Sequence, residues 1–142
     1  MIHYLDASAL VKRYLPEHGS TALRTLFRKS ARVAMARIGH AEVASAFTRA
    51  ARAGAISDDT RDKLVSRLEA ELAGFTIVEL RSSLARSAIE ILERHPLRAN
   101  DALHLAAALA LRSQGTALSF WCADDHLLAA ADDEGLRAIR PA

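Results

Sequence analysis

Short apolar runs alternate with longer amphipathic ones along the whole chain, and no other feature narrows the choice of fold as much. An apolar run too short for a helix suits a strand buried on both faces, and an amphipathic stretch between two such runs suits a crossover helix. The strands expected are Ile2–Leu5, Arg32–Ala36, Thr76–Leu80 and Ala117–Ala123, with Leu136–Ile139 as a last edge strand. The helices expected are Ala9–Tyr14, His18–Ser30, Gly39–Ala53, a stretch from the Ser57 cap to Leu72, Ser83–Arg94, a run from Asn100 or Asp101 to Gln114, and Leu127–Asp133. Pro16, Gly54, Gly74 and Pro96 punctuate them where a helix must stop. The order predicts an α/β fold with a central, mainly parallel sheet flanked by helices.

Length and composition set the frame for that fold. The 142 residues suit one domain, expected to span 1–142, and 51% of them are apolar, enough for a sizeable core. Neither a repeat nor a low-complexity linker interrupts the chain. One cysteine, Cys122, excludes an intrachain disulfide. The opening residues lack a basic segment followed by an apolar stretch of signal-peptide length, and no apolar run is long enough to span a bilayer. The expectation is a cytoplasmic protein without a membrane segment. The net charge is only +2, but the signs are unevenly spread: Arg24, Arg28, Lys29, Arg32, Arg37, Arg49 and Arg52 gather in the first half, and Asp124, Asp125, Asp132 and Asp133 near the end. An anionic partner fits the basic half, although a charge run alone is commonly no more than a solvated face.

Four acids occupy chemically informative places. Asp6 immediately follows the first strand and Asp124 follows the strand containing Phe120 and Trp121, so both belong at the carboxyl ends of strands, where open α/β sheets take their ligands. Glu42 lies near the start of the helix after Arg32–Ala36, and Asp101 near the start of the helix that leads to the strand before Asp124. Right-handed crossovers bring both helix starts to the same edge. Singly, each acid has an ordinary role as a turn residue or helix cap. Together they repel one another unless a cation neutralises them. A hard divalent ion, Mg²⁺ or Mn²⁺, matches an all-oxygen set, and zinc does not, because no cysteine and histidine set has suitable spacing. Such a site is able to activate water and hydrolyse a phosphodiester. Asp6-Ala7-Ser8 lacks the second aspartate of a haloacid-dehalogenase-like phosphatase, and the acidic pair and lysine of a receiver domain are missing.

At these positions the chain resembles the PIN-domain ribonucleases. Tyr4-Leu5-Asp6-Ala7-Ser8-Ala9-Leu10-Val11 resembles their opening motif, His40-Ala41-Glu42-Val43 the second, Leu97-Arg98-Ala99-Asn100-Asp101-Ala102-Leu103-His104-Leu105-Ala106 the third, and Cys122-Ala123-Asp124-Asp125-His126-Leu127-Leu128 the fourth. The resemblance covers nearly the whole chain, and its size is that of the VapC toxins of type II toxin–antitoxin pairs. It implies a PIN-like three-layer sandwich, an endoribonuclease using Mg²⁺ or Mn²⁺, an RNA substrate, a homodimer and a VapB-like antitoxin. Asp6, Glu42, Asp101 and Asp124 then take the metal-site roles. The alternatives are a PIN-like module that binds RNA or a partner without cleaving, and another metal-dependent phosphoesterase.

Several neighbours of the acids are secondary candidates. Ser8 matches a hydroxyl position beside the metal, its ordinary role being a cap of the first helix. Asp125 is a helix-start residue or a water-mediated ligand, since Asp124 keeps the family spacing to Leu127 and Gly135. His104, three residues after Asp101 on one helical stripe, more often packs or hydrogen-bonds than ligates. Arg49 shares a helix face with Glu42, where it is able to hold an RNA backbone, its ordinary role being a solvated surface arginine. Cys122 stands where many relatives carry Thr or Ser. The antitoxin segment is expected to dock in an exposed apolar groove beside the acids, lined by some of Leu10, Leu15, Leu23, Leu26 and Leu68.

Overall fold

The computed structural model describes residues 1–142. Strands β1 (Ile2–Leu5), β2 (Arg32–Ala36), β3 (Thr76–Val78), β4 (Leu118–Trp121) and β5 (Arg137–Ile139) form one sheet in the order β3-β2-β1-β4-β5. Every pairing is parallel, with Tyr4 opposite Ala34 on one side and Phe120 on the other. Helices α1 (Ala7–Leu10), α2 (Ser20–Arg28), α3 (Ile38–Arg52), α4 (Asp58–Leu72), α5 (Ser82–Arg94), α6 (Ala99–Ser113) and α7 (Asp125–Asp133) flank it. This is the three-layer α/β sandwich expected. No helix is long and apolar enough to cross a membrane.

The period of two along each strand divides the core. Ile2, Tyr4, Ala34, Ala36 and Phe120 face a layer made by α5, α6 and α7. Leu5, Val33 and Met35 face a layer made by α1 through α4. The alanines of α6, Ala102, Ala106, Ala107 and Ala108, are buried and let that helix lie close against the sheet.

Local chemistry moves several expected boundaries. The first helix begins at Ala7, because Asp6 Oδ1 accepts the Ala9 amide at 2.9 Å and caps it, and it tightens into a 3-10 turn at Val11–Arg13. Ser8 is therefore not the cap. The next helix starts at Ser20, not His18, since Gly19 is left-handed at φ 93°. Strand β3 stops at Val78, where its partner β2 ends at Ala36. Helix α6 opens at Ala99, which leaves Asp101 inside its first turn.

The expected apolar groove does not form from the leucines named for it. Leu10, Leu23 and Leu68 are wholly buried, Leu26 nearly so, and Leu15 packs half-buried against the same cluster. Helices α1 to α4 close over one another as well as over the sheet, so their apolar faces already have partners.

Candidate active site

The sheet order reverses between β1 and β4: from β1 the chain first builds outward through β2 and β3, then returns to lay β4 on the other side. At such a switch point the two following loops leave in opposite directions and open a crevice. Asp6 immediately follows β1 and Asp124 lies three residues beyond β4, so both carboxylates stand at its mouth. Asp6, Glu42, Asp101 and Asp124 all line one cavity of about 500 Å³, together with Ser8, Arg98 and Asn100. A contiguous cavity of about 470 Å³ shares Ser8, Glu42 and Asn100 and adds Ser45 and Arg49. Four separate segments thus converge as the topology requires.

Depth differs among the four. Asp6 is buried, Glu42 and Asp101 are half-buried, and Asp124 is exposed at the rim. Each of three is held by the protein. Asp6 Oδ1 accepts Ser8 Oγ at 2.7 Å in addition to the Ala9 amide. Ser8 Oγ in turn accepts the Ala123 amide at 2.9 Å, tying the end of β1 to the end of β4. Asp124 Oδ1 accepts the Leu127 amide at 2.9 Å and caps α7. Glu42 Oε1 lies 2.6 Å from His104 Nε2, and Asn100 Nδ2 reaches Glu42 Oε2 at 3.4 Å.

His104 is itself buried and has a second partner, Tyr4 Oη, 2.7 Å from its Nδ1. The Tyr4 hydroxyl also accepts the Ala36 amide at 3.0 Å, and its ring stacks on Phe120 with centroids 5.2 Å apart. A chain of hydrogen bonds therefore runs from the sheet through Tyr4 and His104 to Glu42. Both histidine nitrogens are engaged by protein, which leaves His104 to orient Glu42 rather than to ligate. Tyr4 and Asn100 were not singled out in the sequence as site residues. The signal for Tyr4 is its place two residues before Asp6 on the same strand, facing the α6 layer.

The electrostatics follow from burial and crowding. Burial, with a contribution from Asp101, raises the Asp6 carboxyl to about 6, against the opposing pull of His104, Ser8 and the Ala9 amide. Asp101 is likewise raised, by burial first and then by Asp124 and Glu42. Cys122, buried below the rim with its Sγ 3.7 Å from the Asp124 carbonyl, is pushed up by burial and by the nearby acids. A thiol in that place stays neutral and is a weak donor.

The donor set suits a hard divalent cation: four carboxylates, no competing thiolate, and two acids whose ionisation is opposed by their surroundings. The four are nevertheless not drawn into a closed ligand cluster. No three acidic, histidine or cysteine groups stand close enough to hold one ion as placed, and Glu42, Asp6 and Asp124 each direct an oxygen to a protein donor.

The remaining candidates separate cleanly. Arg49, steadied by Ser45 Oγ at 2.8 Å, lines the contiguous cavity on the Glu42 side. Asp125 lines neither cavity and is ion-paired with Arg140.

The family described as PIN domain matches residues 3–138. Ribonuclease VapC45 of Mycobacterium tuberculosis (strain CDC 1551 / Oshkosh) is 32% identical over 139 residues, which cover 98% of this chain and 94% of that protein. Among solved structures, FitAcB from Neisseria gonorrhoeae superposes with a TM-score of 0.72 at 20% identity, covering 99% of this chain and 98% of that one. A toxin–antitoxin complex from Klebsiella pneumoniae gives a TM-score of 0.70 at 16% identity, with the same coverage. Likeness at those identities is a likeness of fold.

Proposed function

The chain belongs to the PIN-domain family, and from that premise we propose that it is a Mg²⁺- or Mn²⁺-dependent endoribonuclease and the toxin of a toxin–antitoxin pair. The observation that carries the reading is the convergence of Asp6, Glu42, Asp101 and Asp124 on one cavity at the switch point of the sheet. A relative 32% identical over nearly the whole chain is named a ribonuclease, and a structure of the same fold is a toxin–antitoxin complex.

When bound, the divalent ion supplies activation of water and neutralisation of phosphodiester charge. The chain's own groups do the rest. Asp6, Asp101, Glu42 and Asp124, which line the cavity, would hold the ion. Ser8 and the Ala9 amide orient Asp6, the Tyr4–His104 pair orients Glu42, and the α7 amide orients Asp124, and the carboxylates would draw together from these positions to bind the ion. Arg49 faces the neighbouring cavity, where it meets a phosphate flanking the scissile one.

Cleavage of RNA in Mg²⁺ or Mn²⁺, abolished by chelation, is the test. Asp6→Asn and Asp101→Asn are expected to lose more than the roughly 10–100-fold that an orienting residue alone would cost. Asp125→Asn, whose carboxylate faces Arg140, is the control that keeps cleavage. Unchanged cleavage by Asp6→Asn would falsify the site. The proposed partner is a small VapB-like antitoxin whose arginine or lysine enters the carboxylate cavity and relieves the repulsion that the metal otherwise relieves. Pull-down and nuclease assay after co-expression with the adjacent reading frame test this. Failure of any neighbour product to bind or inhibit removes the toxin role and leaves the nuclease.

A further inference from the structure

A second concentration of charge lies apart from the acidic cavities. Arg13, Arg24, Phe27, Arg28 and Arg67 line a cavity of about 390 Å³ between the 3-10 turn after α1, α2 and α4. It shares no residue with either acidic cavity. One carboxylate, Glu71, serves two of its four guanidiniums. Glu71 receives Arg13 Nε at 3.1 Å and Nη2 at 2.5 Å, stands 3.6 Å from Arg67 Nε, and accepts the Tyr14 hydroxyl at 2.7 Å. Arg13 also covers the Phe27 ring, 3.8 Å from its centroid.

Arg24 and Arg28 have no acidic partner. Their hydrogen bonds go to the hydroxyls of Thr21 and Thr25, at 3.0 and 3.4 Å. They sit on successive turns of α2, about 6 Å apart along its axis, and both are exposed. Four cations facing one carboxylate leave a surplus of positive charge that an anion stabilises.

We infer that this arginine cavity is a second RNA-backbone site, which grips phosphodiesters of the substrate away from the point of cleavage. The inference rests on the nuclease reading above. A polyanion entering a cavity lined by four carboxylates is repelled there until a cation neutralises them, so cationic surface elsewhere adds to its binding. Planar guanidinium forks take phosphate oxygens in pairs, and their spacing on α2 suits successive groups along a strand. The two sites are joined by one short segment: Ala7 and Ser8 line the acidic cavities and Arg13 the basic one. Five residue steps of helix and 3-10 turn lead from Ser8 to Arg13, about 8–10 Å of rise. The substrate class is therefore an RNA long or folded enough to contact both.

The experiment measures binding of transfer RNA by fluorescence anisotropy over a range of monovalent salt, in chelator, so that cleavage plays no part. Arg24→Glu/Arg28→Glu is compared with Arg81→Glu/Arg86→Glu, an equal charge change on and beside α5. The expected result is an affinity loss of about tenfold or more and a salt slope reduced by between about one and two for the α2 pair, with a change within about twofold for the control. Arg24→Gln/Arg28→Gln, which removes charge without reversing it, is expected to move both quantities in the same direction by less, and keeps the test valid if the reversal impairs folding. Equal behaviour of the α2 and α5 pairs would overturn the inference. So would displacement of the RNA by poly-glutamate as effectively as by single-stranded RNA, which would make the cavity a reader of acidic protein. If Asp6→Asn abolishes cleavage while the α2 variants bind as wild type, the second site is wrong and the nuclease stands. If no metal elicits cleavage but the α2 variants lose transfer RNA, the site stands and the nuclease falls.

Discussion

Asp6 is the residue at which structure and function oppose each other. Its burial stabilises the protonated form in the folded chain and the role proposed for it requires the ionised one. Its folded value near 6 lies above the reference value of 3.8, so between those two values the native chain holds a proton that the unfolded chain has released. Stability from this group therefore rises as pH falls from above 6 towards 4, and is lost as pH rises through 6. The displacement corresponds to on the order of 3 kcal/mol at neutral pH in the absence of divalent ions. Asn keeps the side-chain oxygen that caps α1. Asp6→Asn is accordingly expected to melt higher than wild type at pH 7.5 in chelator, with the difference gone below about pH 4. A constant difference across that range in denaturant titrations would show that Asp6 is not strained by its ionisation.

Among the elements, α3 carries the most finely adjusted placement, because it brings Glu42 to the cavity from the far side of β2. Its first turn approaches β2 at Gly39, where an added Cβ would collide with the Met35 thioether. Met35 is wholly buried and has nowhere open to move. Helix propensity alone favours Ala over Gly by up to about 1 kcal/mol; overpacking a closed core costs about 1–3 kcal/mol. The collision therefore outweighs propensity, and Gly39→Ala is expected to lower stability and to weaken RNA cleavage by shifting Glu42. Combining it with Met35→Ala should recover part of the stability, measured as a coupling in a double-mutant cycle. Additive losses would place the effect elsewhere.

At the scale of the whole molecule, two charged sites stand apart. Asp6, Glu42, Asp101 and Asp124 line a cavity at the carboxyl edge of the sheet, and Arg24 and Arg28 line another on α2. A divalent ion at the acidic edge changes the sign of the repulsion felt by RNA there. Mg²⁺ added at constant ionic strength is expected to raise RNA affinity of the wild type several-fold and to leave Asp6→Asn/Asp101→Asn nearly unaffected, when binding is read before cleavage proceeds. Equal gains in both proteins would assign the effect to the RNA's own ion atmosphere.

The alternation of short apolar runs and amphipathic stretches was enough to place all five strands and seven helices, because burial on both faces of a parallel sheet leaves its mark on every residue of a strand. Asp6 and Asp124 were legible as a pair for the same reason: a residue that follows a buried strand has only one edge on which to emerge. Long-range partners left no such mark. That Ser8 bonds Asp6 and the Ala123 amide instead of capping α1, that His104 stands between Tyr4 and Glu42, and that Asp125 turns to Arg140 depend on residues as much as 115 positions apart. The buried fate of Leu10, Leu23 and Leu68 has a similar cause, since hydrophobic periodicity tells which face of a helix is apolar and not which other helix will cover it. The arginine cavity, likewise, exists only because α4 folds back and sets Arg67 beside Arg13, Arg24 and Arg28. Periodicity acts along the chain and is written in it; the pairing of side chains acts across space and is decided when the layers close.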